Sequence, residues 1–193
     1  MKRTTLIIVV VLALFSVYGC SSYNGLVQKD ETVNGSWSKV QTQYQRRADL
    51  IPNLVNTVKG AADFEKETLT QVIQARASAT AMNLDASDLT PENIQKFQAA
   101  QDQLSGALSR LLVSVERYPE LKANQNFLEL QAQLEGTENR ISVARNDFND
   151  TVKDYNQAVR VFPAAVFAGL FGFDQKGYFE GTEAAQTAPA VAF

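Results

Sequence analysis

The sequence predicts an all-α protein: a long antiparallel up-down helical bundle with a coiled-coil-like core and a kinked first long helix. Three observations predict it. Apolar residues recur at alternating steps of three and four over three long stretches, the period of an amphipathic helix. Glycine and proline number only 10 and 5 in 193 residues, so few positions punctuate those stretches. No stretch alternates with period two for long enough to make a strand. A chain of this length suits one domain with a sizeable core.

The N-terminal segment comes first. Lys2 and Arg3 precede LIIVVVLALFSV (Leu6 to Val17), an uncharged apolar run of 12 residues. That fits the apolar stretch of a secretory signal and falls short of the roughly 20 residues of a spanning helix. VYGC then resembles a bacterial lipobox: an aliphatic residue, Val17, stands three places before Cys20, and a small one, Gly19, directly before it. Tyr18 departs from the small residue usual at its place. Two readings follow. In one, residues 1–19 are a signal peptide removed before Cys20, whose thiol carries the lipid. In the other, residues 1–19 stay as an anchor, with Thr4 to Gly19 spanning if the helix tilts or the bilayer thins. Both place the remaining chain outside the cytoplasm, because basic residues ahead of the segment stay inside. With Cys20 the sole cysteine, no intrachain disulfide is possible.

Residues 20–180 carry the bundle. Val33, Trp37, Val40, Tyr44, Ile51, Leu54 and Val58 form one stripe, with Arg47 filling the missing beat. It resumes through Ala62, Leu69, Val72, Ile73 and Ala79, which predicts a helix from about Asp30 to about Ala81. Pro52 removes a backbone donor and crowds the carbonyl of Ala48; since the stripe keeps its phase, a kink is expected there. NLDASDLTPEN is a loop, after which Thr90 caps a helix and Pro91 takes its first position. This second stripe holds Ile94, Phe97, Leu104, Leu108, Leu111, Val115 and Tyr118, with Gln101 in phase. RYPEL turns the chain. A third long helix follows through Phe127, Leu130, Leu134, Ile141, Ala144, Phe148, Val152, Tyr155, Val159 and Phe162, and Pro163 ends or bends it. The apolar AAVFAGLFGF reads as a short helix over one end of the bundle, or as a contact with membrane or partner through Phe167, Leu170, Phe171 and Phe173. Residues 181–193 read as a flexible tail.

Little enzymatic chemistry is visible. With no histidine, Ser-His-Asp and Cys-His sites are excluded, and the commonest metal ligand is missing. A net charge of −3 argues against a nucleic-acid partner. The acid pairs Asp30 and Glu31, and Glu65 and Glu67, read as solvated helix-surface groups. No glycine loop has phosphate-cradling spacing. The expectation is no enzyme, no cofactor and no metal. QRRADLIPN is the densest mixture of charge and apolar residues. Arg46 can pair with Asp49. One arginine lies beside the apolar stripe, where its stem covers core and its head reaches a carboxylate on another helix. Arg46, Arg47, Asp49 and Asn53, together with Phe167, Phe171 and Phe173, form the candidate partner patch; the simpler reading of the arginines is register-setting and support of the kink at Pro52. Trp37 and Tyr44 lie in phase with the stripe and read as core.

YNGLV, Trp37, YQRRADLIPNLVNTVKG, YPELKANQNFLELQAQLEGTENRI and YNQAVRVFPAAVFAGLFGF together resemble the LemA family of bacterial envelope proteins, from Tyr23 to the closing PAVAF. The resemblance implies an antiparallel helical bundle behind an N-terminal membrane segment, and no activity. The placing of some family genes near those of membrane peptidases makes a peptidase a conceivable partner. Members usually lack a cysteine in the membrane segment, and many carry a histidine where this chain has Phe64. The expected function is a non-enzymatic, membrane-anchored protein of the bacterial envelope whose bundle scaffolds or binds other envelope proteins, attached to membrane lipid at its N-terminus. The alternative is a carrier or sensor of an apolar ligand, such as a lipid, held in the bundle.

Overall fold

The structure, a computed structural model, describes residues 3–60 and 65–181. Its helices are α1 (Arg3–Lys59), α2 (Lys66–Ala81), α3 (Pro91–Val115), α4 (Pro119–Lys122), α5 (Gln125–Arg160) and α6 (Ala164–Phe171), with a 3-10 turn over Ala86–Asp88. No strand occurs among the described residues. Ala62, Phe64 and the expected tail from residue 182 lie outside them.

The stretch expected as one helix from Asp30 to Ala81 is two helices. α1 ends at Lys59 before Gly60, and α2 starts afresh at Lys66. The stripe keeps its phase across the break, so periodicity alone does not separate continuation from reversal. The chain reverses: Arg76 Nε of α2 donates to the Ala48 carbonyl of α1 at 2.8 Å. α3 then runs back along α2, with Gln101 Nε2 donating to Ala79 O at the end of α2 and Ser114 meeting Glu65 before its start. α5 descends along α1, pairing Glu138 with Arg47 and Thr151 with Ser36. The bundle is therefore up-down-up-down, with four long helices among the described residues where the periodicity predicted three. Thr90 caps α3 as expected, its Oγ1 accepting from Asn93 N–H at 3.3 Å, and Asn124 caps α5 in the same way through Phe127 N–H.

Pro52 lies inside α1, and the helix runs on through it. A proline cannot donate to the carbonyl four residues earlier, here Ala48. That orphaned carbonyl is the one Arg76 takes. The break in the α1 hydrogen-bond ladder thus becomes an attachment point for α2.

The stripes bury as their spacing predicts. Val33, Trp37, Val40, Tyr44, Ile51, Leu54 and Val58 are all within the core, as are Leu69, Val72, Ile94, Phe97, Leu104, Leu108, Leu111 and the α5 series from Phe127 to Val159 except Leu130, which like Tyr118 is partly buried against it. Two residues depart. Ile73 is 46 % exposed, its place on the buried face of α2 taken by Ala75. Phe162 is 80 % exposed, because α5 stops at Arg160 and the chain turns at Pro163. The core divides into one cluster around Trp37, Phe97 and Phe148 and another from Ile51 to Leu134.

Residues 173–181 form an extended strap over the first cluster. Asn156 accepts from the N–H and donates to the C=O of Lys176, both at 2.8 Å, and Asn149 does the same for Phe179 at 2.9 Å. Seven residues of helix rise about 10.5 Å and three extended residues about 10 Å, so the two asparagines match the strap's spacing. Gln98 of α3 holds Glu180 from the other side. Phe179 is buried against Trp37, Phe97 and Phe148.

Candidate functional site

The candidate partner patch separates into two places. Arg46, Asp49 and Asn53 lie on the exposed surface of α1, whereas Arg47 is buried. The expected pairing of Arg46 with Asp49 is not formed. Gln45 Nε2 donates to Asp49 Oδ1 at 2.8 Å instead, and Arg46 has no ion-pair partner among the described residues. Phe167, Phe171 and Phe173 sit against α1 at Phe15 to Tyr23. From Tyr23 to Arg47 the helix rises about 36 Å, so the two halves are not one surface.

Arg47 occupies the level between the two core clusters. Its Nη1 donates to Ser105 Oγ at 2.7 Å and to Glu138 Oε1, and its Nη2 to Gln101 Oε1 at 2.7 Å. The guanidinium lies 5.1 Å from the centre of the Tyr44 ring. Gln101 in turn donates to Ala79 O, so one polar layer ties α1, α2, α3 and α5 together. A buried polar layer in a helical bundle fixes axial register, since sliding any helix by one turn leaves its groups unpaired. Sequence reasoning placed Arg47 beside the stripe with its head reaching a carboxylate on another helix, and Glu138 is that carboxylate. Glu138 was not identifiable beforehand, because one glutamate on the face of α5 resembles its neighbours.

The N-terminal segment is continuous with the bundle. α1 is 57 residues long and carries a stretch long and apolar enough to cross a membrane. Residues 3–18 are exposed, and no charge occurs from Thr4 to Gln28. Cys20 is exposed on this helix. Gly19 is buried under Phe167 of α6: a Cβ there would lie 2.7 Å from Phe167 Cε1. Phe15 and Tyr18 meet the same ring at 4.8 and 5.7 Å between centroids. Tyr23 meets Phe171 and Phe173 at 5.0 and 5.8 Å.

The acid pairs do not converge. Asp30 is bound to Lys176 at 2.8 Å while Glu31 faces solvent. Glu65 holds Arg117 at 2.9 Å, clamping the start of α2 to the end of α3. No group of three metal-ligating side chains is found among the described residues. Clefts reach buried residues beside Tyr44 and Phe97, beside Ile141 and Phe179, and beside Leu89 and Tyr155, holding about 90, 290 and 380 Å³, against roughly 300–1,000 Å³ for a small-molecule site.

A family model described as the LemA family matches residues 36–193. The chain belongs to the LemA family. Among its relatives, a Protein LemA from Metamycoplasma hominis is 22 % identical over 157 residues, covering 81 % of this chain and 68 % of the relative. The magnetosome protein MamQ of Magnetospirillum gryphiswaldense is 25 % identical over 186 residues, covering 86 % and 67 %. The magnetosome protein MamQ 2 of Paramagnetospirillum magneticum is 24 % identical over 186 residues with the same coverage. The polar layer at Arg47, Gln101 and Glu138 and the strap through Phe179 lie within the matched residues; the apolar N-terminal segment precedes them.

Proposed function

We propose that this LemA family chain is a non-enzymatic, membrane-anchored protein of the bacterial envelope whose bundle scaffolds other envelope proteins outside the cytoplasm. The observation that carries this reading is the unbroken course of α1 from the exposed apolar segment into the bundle core. A flexible linker would let the bundle tumble relative to its anchor. A single helix of about 85 Å holds its surface at a fixed height and orientation, which is useful for presenting a binding face and of no use to a freely diffusing carrier. Lys2 and Arg3 support an inward N-terminus and an outward bundle.

The attachment has two chemical forms, a retained spanning helix or an acylated Cys20 after removal of residues 1–19. The packing of Phe15, Tyr18 and Gly19 on Phe167 supports retention, since cleavage uncovers a ring that is otherwise 3 % exposed. The intact mass of protein extracted from its own membranes, beside a Cys20→Ser control, tests this. A full-length mass fits the spanning helix; a mass fitting cleavage plus acyl chains, lost in the control, fits the lipoprotein. Cross-linking in membranes followed by mass spectrometry tests the scaffold. Recurrent capture of the same envelope proteins, a membrane peptidase among the candidates, is the expected result. Repeated capture of none counts against it.

A further inference from the structure

α6 carries an apolar face that nothing in the bundle covers. Leu170 is 72 % exposed, Phe162 80 %, and Val161 and Val166 each 52 %. Val166 and Leu170 stand four residues apart on one side of α6, and Phe162 lies in the turn two residues before its start. Between Arg160 and Asp174 no residue is charged. Gly172, at φ +75°, closes the helix, with Phe173 N–H returning to Ala168 O at 2.9 Å. The face is therefore presented by a folded, capped helix seated on the bundle through Phe167 and Ala168.

Its height along α1 decides what covers it. From Arg3, the last basic residue before the apolar run, Phe15 lies about 18 Å and Tyr23 about 30 Å up the helix. The hydrocarbon core is about 30 Å thick. α6 packs on α1 between those two levels, at Phe15, Tyr18, Gly19 and Tyr23. The exposed side of α6 thus lies at the height of the exposed residues Phe15 and Tyr18, and Tyr23 stands where aromatic belts meet the headgroups. An acylated Cys20 would put the same level of the molecule against the acyl chains. We propose that α6 is a second membrane contact: its Val166 and Leu170 face, with Phe162 in the turn before it, lies in the outer half of the bilayer beside the N-terminal helix, so that the bundle is held at two points and cannot swivel about α1. This rests on the membrane attachment proposed above.

The test uses the full chain in phospholipid vesicles whose acyl chains carry bromine, a contact quencher of tryptophan. Trp37 is buried and about 21 Å beyond Tyr23, so it serves as an unquenched reference. Leu170→Trp adds a probe on α6, and Val113→Trp adds one at an exposed site of α3. Flotation with the vesicles reports attachment separately. The expected result is flotation of all proteins, with the added signal of Leu170→Trp falling about two-fold or more in brominated vesicles, as for a face buried 5–10 Å into the boundary, and that of Val113→Trp unchanged. Flotation with Leu170→Trp no more quenched than Val113→Trp overturns the inference while attachment stands, and leaves the α6 face for a protein partner. Failure to float overturns both.

Discussion

Replacing Arg76 by alanine should destabilise the bundle only when Pro52 is present. In the native chain the Ala48 carbonyl has no N–H from residue 52, and Arg76 Nε fills that place at 2.8 Å. Removing a charged donor from a half-buried carbonyl costs about 1.5–3 kcal/mol. In a Pro52→Ala background, the N–H restored at position 52 reaches the same carbonyl, so Arg76→Ala should cost less than about 1 kcal/mol. The coupling between the two positions is then about 1–2 kcal/mol, within the range of directly interacting pairs. Pro52→Ala by itself regains part of the roughly 3 kcal/mol that an interior proline costs a helix. Urea unfolding of the four proteins in one mild detergent, followed by helical circular dichroism, measures the cycle. Equal costs of Arg76→Ala in both backgrounds, to within about 0.5 kcal/mol, would refute the idea that the proline creates the docking point.

Leu108→Ala should cost about 2–5 kcal/mol, being buried beside Leu104 and Leu111, whereas Val113→Ala at a 72 % exposed site should stay within about 0.5 kcal/mol by the same unfolding assay. Gly177→Ala would bring a Cβ to 2.6 Å from the Pro91 Cα, which is backbone and cannot swing aside; a loss of about 1–3 kcal/mol and earlier protease cutting within 173–181 are expected. Glu138→Gln should be mild, under about 1 kcal/mol, because its side chain is 45 % exposed, while Arg47→Ala should cost about 3 kcal/mol or more for removing a buried group from four helices' contacts. Burial, with smaller contributions from the carboxylates of Asp30 and Asp174, pushes the Tyr155 phenol up to about 12 from 10.0. The folded state thus holds that proton more tightly. The stability it contributes is whole below pH 10 and lost as pH rises towards 12. Burial also raises the Tyr44 phenol, so absorbance titration of tyrosinate should show late-ionising groups, of which Tyr155→Phe removes one.

Much of this was legible along the chain because a helix writes its buried face at a period that a sequence displays. The stripe from Val33 to Val58, the Thr90 cap, and the core placing of Trp37 and Arg47 each depend on neighbours within a turn or two. The break between Lys59 and Lys66 was not legible for the same reason: a stripe in phase is compatible with a straight helix and with a hairpin. Ile73 shows the limit again, since an apolar residue one position off the stripe is read as core until the partner helix is known.

The sequence by itself determined the helical class, the apolar N-terminal segment, most of the helical stripes of the core and the absence of histidine, because these follow from composition and local period. The tertiary structure decided the pairings. Glu138 rather than Asp49 became the carboxylate bound by an arginine of the QRRADLIPN stretch, and Arg76 the donor for Ala48. Asn149 and Asn156 became the holders of an extended strap, and α6 was set against Phe15 to Tyr23. Each of these joins residues tens of positions apart, where closure of the intervening chain carries no periodic mark and only the packing of whole helices selects the partner.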